Sequence, residues 1–255
     1  MLRINRVQIN YFLKERQIIS GGGNRILSID YNNETYKFEE SKIDENYFIL
    51  WSQEKNPFEC VSVIISIKDK YAELHGIGNY EKCIADTNTN VGSILLKITL
   101  KLLKKYKNKF NIETIVLTDN SLKQCGKIQI NLSKMLILLT GETWYGKYGF
   151  RPFNHENKLD IILNDKYNKN IKIMNRITIN DVNIIKYIKL TNKNKIIDDV
   201  VKLVQLHPNL LLKDFIINFI NEYDKFCKYF YLFYERLFEK AGLTDFHRMY
   251  FGLLL

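Results

Sequence analysis

Proline, cysteine, histidine and tryptophan are all scarce, at three, four, four and two in 255 residues. The four cysteines, Cys60, Cys83, Cys125 and Cys227, show no CxxC spacing and lack the density of a disulfide scaffold, so the sequence predicts a reducing compartment. His75, His155, His207 and His247 lie far apart, and none stands at ligand spacing from a cysteine, which argues against a zinc site. No run approaches the roughly 18 uncharged apolar residues of a membrane span, and MLRINRVQINYFLKERQ at the N-terminus has no apolar core of a signal peptide. A cytoplasmic protein without membrane contact is the expectation. The triple glycine Gly21 to Gly23 lacks the Lys-Ser/Thr that follows in a phosphate-binding loop and reads as a flexible turn.

Acidic residues are also in short supply, 28 against 38 basic ones, for a net charge of +10 and a pI near 9.2. Such a balance suits phosphate-rich partners, either nucleic acid or an anionic cofactor. An AT-rich coding bias is the stronger reading, because Lys, Asn and Ile recur throughout, as in NKNKII and NDKYNKN. At 46% hydrophobic, the chain can bury a substantial core in one large domain or one and a half.

Strand-like runs occupy Asn24 to Phe38 and Tyr47 to Trp51, with a turn at Asn32, Asn33 and Glu34. Cys60 to Ile67 is rich in β-branched residues. Lys68, Asp69 and Lys70 turn it back into Tyr71 to Gly78, a hairpin partner with Glu73, His75 and Ile77 on one face and Ala72 and Leu74 on the other. A Glu and a His on one strand face form either a general base pair or the polar side of a solvated strand. Val91 to Lys107 is the clearest helix: Val91, Ile94, Leu95, Ile98, Leu102 and Tyr106 repeat at spacings of 3, 4 and 7, and lysines line another side. Its first turn, Asn-Val-Gly-Ser, offers small residues and backbone N–H groups at the positive end of the helix dipole, where a phosphate fits. Ile112 to Thr118 is a strand. A helix crosses before it, so it is expected to run parallel to its predecessor, and Asp119, Asn120 and Ser121 end it.

Thr140 to Phe153, TGETWYGKYGFRPF, concentrates the most chemistry: Gly141, Gly146 and Gly149 punctuate Trp144, Tyr145, Tyr148 and Phe150, and Pro152 ends the stretch. Leu132 to Leu139, a buried helix or strand, leads into it. Further on, Asp181 to Leu190 and Lys195 to Leu206 are helical by periodicity. Leu210 to Lys240 reads as one long or broken helix with aromatics at Phe215, Phe219, Tyr223, Phe226, Phe230, Phe233, Tyr234 and Phe238. That stripe belongs to a core or a partner interface, the latter compatible with a homodimer. The terminal FHRMYFGLLL is strand-like.

This order resembles the GNAT superfamily of acyl-CoA N-acyltransferases. Asn90-Val91-Gly92-Ser93-Ile94-Leu95-Leu96 lies where that family carries its pyrophosphate loop and helix start, usually Arg/Gln-x-x-Gly-x-Gly/Ala; here Thr87 stands for the Arg/Gln and Asn90 for the first Gly. Asn120 matches the family's frequent Asn beside the pantetheine. Tyr145-Gly146-Lys147-Tyr148-Gly149-Phe150 looks like its Tyr-x-x-x-Gly-Phe signature, whose Tyr often protonates the departing CoA thiolate. The segment GKIQINLS, before the apolar run, lengthens the usual connection.

The resemblance implies an α/β fold with a mixed central sheet flanked by helices: a GNAT-like domain over 1–154, a helical insertion or subdomain over 155–245, and a last strand over 246–255 that returns to the sheet. It also implies acetyl-CoA as co-substrate and an unnamed amine as acceptor. Tyr145 is then the acid, Glu73 and after it His75 the base, and Ile77, Asn90, Val91, Gly92, Ser93, Asn120 and Tyr145 the cofactor contacts. The competing expectation is a degenerate GNAT fold without catalysis that binds nucleic acid or a protein.

Overall fold

The computed structural model describes residues 25–43, 46–52, 59–77, 91–125, 127–222 and 226–255. The N-terminal segment, Gly21 to Gly23, Thr87 and Asn90 lie outside them. The chain is α/β and divides into two compact units, residues 1–116 with 254–255, and residues 117–253.

In the first unit, strands β1 (Arg25–Tyr31), β2 (Glu34–Ile43), β3 (Asn46–Ser52), β4 (Glu59–Ser66) and β5 (Tyr71–Ile77) pair consecutively and antiparallel, and β6 (Thr114–Thr118) joins β5 in parallel. The β1–β2 turn consists of Asn32 and Asn33, at φ 51° and 64°. Both lie in the left-handed region that a tight hairpin demands and Asn tolerates. β4 carries Val61, Val63, Ile64 and Ile65, all buried, because a central strand is covered on both faces.

Helix α1 (Val91–Lys105) packs on β1, β4 and β5 through Leu95, Ile98, Leu102 and their neighbours. Its Lys101 and Lys105 ammonium groups reach back to the carbonyls of Asp30 and Ser28, at 2.6 and 3.0 Å. The short helix α2 (Lys107–Phe110) ends at Asn111, left-handed at φ 52°, and turns the chain into β6. Crossing by a helix is what allows the parallel pairing.

In the second unit, β7 (Leu122–Cys125) and β8 (Ile128–Asn131) form a separate hairpin, whose second strand is the IQIN of the GKIQIN segment. Helix α3 (Leu132–Thr140) follows, capped by the Asn131 side chain on Lys134 N–H. After β9 (Arg151–Pro152) come helices α4 (Ile161–Met174), α5 (Ile184–Ile188), α6 (Asn194–Leu206), α7 (Leu212–Glu222) and α8 (Phe226–Tyr231). The last helix is α9 (Tyr234–Lys240), and β10 (Tyr250–Leu254) closes the chain.

β10 lies between the end of β6 and β9 and pairs antiparallel with β9. α3 contacts α4, α7 and α9. Phe215, Phe219, Phe230, Phe233, Tyr234 and Phe238 are buried inside this unit, with Phe219 and Phe230 each edge-on to Phe233. Most of the aromatic stripe is therefore core.

Cys60 and Cys227 are each disulfide-bonded, which cysteine spacing alone does not suggest. A disulfide needs two sulfurs brought together by the fold, and sequence spacing does not reveal that. Among the described residues no helix is long and apolar enough to cross a membrane.

Candidate active site

β6 ends in a turn that buries a carboxylate. Asp119 is fully buried, whereas Asn120 beside it is exposed. The Asp119 amide donates to Met249 O at 3.0 Å, and the Arg248 amide donates to Asp119 O at 2.6 Å, so the chain entering β10 is clamped antiparallel to the end of β6. Arg248 sits at φ 63°, a left-handed backbone that is costly for a long side chain.

The Asp119 side chain is only half satisfied. Its Oδ1 accepts from the amide and hydroxyl of Ser121, at 3.1 and 2.5 Å. Its Oδ2, Ser133 Oγ and His247 Nδ1 are buried with no hydrogen-bond partner among the described residues. Ser133 is close enough to favour the carboxylate electrostatically but is not in hydrogen-bond geometry with it. Burial raises the Asp119 pKa above the ordinary carboxylate value, against the opposing pull of the Ser121 hydrogen bonds, the His247 charge and Ser133. A buried acid, a histidine and a serine hydroxyl with open valences can accept, hold and pass a proton.

The aromatic segment sits in the same unit and within electrostatic reach. α3 stops at Gly141, φ 82°, whose amide bonds Ile137 O at 2.7 Å. Tyr145–Tyr148 then makes a single 3-10 turn closed by Gly149 at φ 91°. Gly146 serves a different purpose from these two. A Cβ there would lie 1.6 Å from the Tyr167 hydroxyl oxygen, so close approach rather than a left-handed φ demands glycine.

Arg151 braces the turn by donating to the carbonyls of Gly146 and Phe150, at 3.0 and 2.8 Å, and its guanidinium lies over the Tyr167 ring. Tyr145 packs edge-on between Trp144 and Phe150, at centroid distances of 4.8 and 5.9 Å. Trp144 is half-buried and also meets Tyr148. Burial pushes the Tyr145 phenol well above its usual value, and the Asp119 charge pushes it further the same way. The phenol is therefore neutral at neutral pH and carries its proton.

Comparison with known proteins yields no relative: no family model, no curated protein and no solved structure matches the chain.

The residues singled out from sequence fall into both units. In the first, Glu73, His75 and Ile77 lie on β5, with Glu73 and Ile77 half-buried and His75 exposed. The strand has a bulge there: Ser62 pairs with Gly76 and Val63 with Leu74, which leaves His75 as the extra residue. Val91, Gly92 and Ser93 open α1, with no acidic residue in its first turn. Asn90 lies outside the described residues. In the second unit, Asn120 follows the buried Asp119 directly and is exposed, and Tyr145, further along the chain, is within electrostatic reach of that carboxylate.

Sequence reasoning missed Asp119, Ser133 and His247. Asp119 read as one of three polar residues ending a strand, and nothing local reveals that it points inward while Asn120 points out. Among the described residues no three His, Cys, Asp or Glu side chains gather as metal ligands.

Proposed function

We propose that the chain is an acyl-CoA-dependent N-acetyltransferase of the GNAT kind, which transfers acetyl from acetyl-CoA to an amine by direct attack. The observation that carries this reading is the short parallel register of β5 with β6, Tyr71↔Thr114 to Glu73↔Val116, beyond which β5 runs on to Ile77. An extended, amide-bearing arm such as pantetheine can add to a strand edge through main-chain hydrogen bonds. The order of events along the chain agrees with it: an antiparallel run, a helix crossing to a parallel strand, and a last strand returning antiparallel beside that strand.

In the reaction, the amine nitrogen attacks the thioester carbon, the C–S bond breaks, and the sulfur leaves with the bonding pair. A base, Glu73 or else His75, takes the amine proton, and the Tyr145 phenol gives its proton to the sulfur, so no covalent enzyme intermediate is needed. The amides of Val91, Gly92 and Ser93 receive the pyrophosphate at the positive end of α1, and Asn120 and Ile77 flank the pantetheine.

Titration calorimetry and thermal shift with acetyl-CoA and with CoA test the reading. At ligand one hundred times Kd, the native state gains about 2.7 kcal/mol, which raises Tm by roughly 5–10 °C for a chain of this size. Gly92→Glu sets bulk and like charge against the phosphates, yet Glu is a better helix former than Gly, so the variant folds. Loss of affinity in a folded variant is expected; unchanged affinity removes the loop assignment.

A further inference from the structure

Within the second unit, an open pocket of about 440 Å³ is lined by Lys186 and Tyr187 of α5, by Leu190 just beyond it, and by Arg236, Glu239 and Lys240 of α9. Three cations face one carboxylate, which leaves a net charge of +2 in a concave site. Elsewhere the lysines of this chain are commonly engaged: Lys70 with Glu113, Lys134 with Glu235 and Asp245, Lys213 with Asn175, and Lys101 and Lys105 with backbone carbonyls. By contrast, among the described residues Lys186, Arg236, Glu239 and Lys240 make no side-chain hydrogen bond or ion pair. The acid next to Arg236 is committed elsewhere, because Glu235 takes Lys134 at 3.4 Å and the Tyr234 hydroxyl at 3.1 Å.

We propose that this cavity binds a phosphate-bearing small molecule of mononucleotide size. Arg236 and Lys240 are one helical turn apart on the same face of α9 and line one pocket with Lys186 of α5, so one anion in the pocket can be served by all three donors. Arg offers a planar fork to phosphate oxygens, and the two lysines add point charge. The volume lies at the lower end of the range for small-ligand pockets, roughly 300–1,000 Å³. Tyr187 and Leu190 provide an apolar wall for whatever the phosphate carries, and Glu239 is an acceptor for a ligand hydroxyl. This inference does not depend on the acetyltransferase reading.

Inorganic pyrophosphate and AMP are the probes, titrated calorimetrically into the full chain at low and at physiological salt. Both are expected to bind saturably, and more weakly as salt rises. The double variant Arg236→Glu/Lys240→Glu should lose at least tenfold in affinity, since two charge-assisted contacts are reversed. All three basic side chains are exposed, and Arg236→Gln/Lys240→Gln, which adds no repulsion of Glu239, should show the same direction of loss if the reversal compromises folding. Gly92→Glu serves to separate this site from the amides of α1 and should leave AMP binding intact. No saturable binding of either probe overturns the proposal, as does binding that survives in both double variants or is lost in Gly92→Glu. Binding of duplex DNA that requires Arg236, without binding of either probe, also overturns it and makes the surface a polymer contact.

Discussion

Replacing Asp119 with asparagine tests whether the buried carboxylate is maintained at a cost. Burial is the largest influence on its pKa and acts upward, so between the unfolded-state and folded-state values the native chain holds a proton that the unfolded chain has released. Stability therefore falls as pH rises through that interval, and the ionised carboxylate is a net liability above it. Asparagine keeps the size of the side chain and an Oδ1 acceptor for Ser121, and it brings two N–H donors to the neighbourhood where Ser133 Oγ and His247 Nδ1 lack partners. Relief of a buried unsatisfied polar group is worth about 1–3 kcal/mol, and loss of the attraction to His247 offsets part of it.

A net gain of about 1 kcal/mol would raise Tm by roughly 2–4 °C at neutral pH. Calorimetric melts from about pH 4 to about pH 8 should show the variant above the wild type at the alkaline end. The two curves should converge as the wild-type carboxyl protonates. If instead Asp119→Asn melts lower at neutral pH and wild-type stability climbs with pH through the same range, an ion pair with His247 outweighs burial, and the reasoning fails.

Two further outcomes concern the aromatic turn. Gly146→Ala puts a methyl 1.6 Å from the hydroxyl oxygen of a fully buried Tyr167. It should cost about 1–3 kcal/mol as overpacking, and pairing it with Tyr167→Phe should recover part of the loss in a double-mutant cycle of melting temperatures. Strict additivity would show that the clash is relieved by other means. Tyr145→Phe keeps the ring contacts with Trp144 and Phe150 and removes a hydroxyl that makes no hydrogen bond among the described residues. Acetyl-CoA binding should persist while turnover falls by roughly a hundredfold to ten-thousandfold; wild-type turnover at saturating acetyl-CoA would end the acid assignment.

What the sequence disclosed follows the range of the forces involved. The spacing of Val91, Leu95, Ile98 and Leu102 marks a helix packed on a sheet, and α1 includes all four, although Tyr106 ends it before the predicted Lys107. The β4–β5 hairpin and the parallel β6 were legible for the same local reason. Helix α4 was not, because only Tyr167, Asn170 and Met174 of its fourteen residues are buried while Ile161 and Ile162 are exposed, so hydropathy gives no stripe to read. Asn170 holds its place by exchanging hydrogen bonds with the backbone of Thr244, at 2.8 and 2.9 Å, a partner no periodicity predicts.

The aromatic stretch from Leu210 to Lys240 illustrates the converse. Its apolar spacing is continuous, yet the chain folds it into α7, α8 and α9. Phe233 leaves helical geometry at φ −133°, and its ring meets both Phe219 and Phe230. One straight helix would set these rings along a single stripe, whereas breaking it lets successive turns close on one another. No Gly or Pro announces the break at Phe233, since aromatic packing takes over a role that backbone chemistry usually has.

The polar cluster lies beyond both kinds of signal. Asp119 is inward where the antiparallel clamp with Arg248 and Met249 holds the strand end, and that clamp joins residues separated in sequence by the helices between β9 and β10. Burial of the acid is thus a consequence of distant chain closure. If so, a change that loosens the clamp without touching the cluster should lower the Asp119 pKa toward its ordinary value, because water would then reach the carboxylate. Arg248→Pro removes the amide that donates to Asp119 O and cannot adopt φ 63°, and NMR titration of the Asp119 carboxyl carbon should show the fall. An unchanged pKa in that variant would mean the surrounding side chains, rather than the clamp, keep water out.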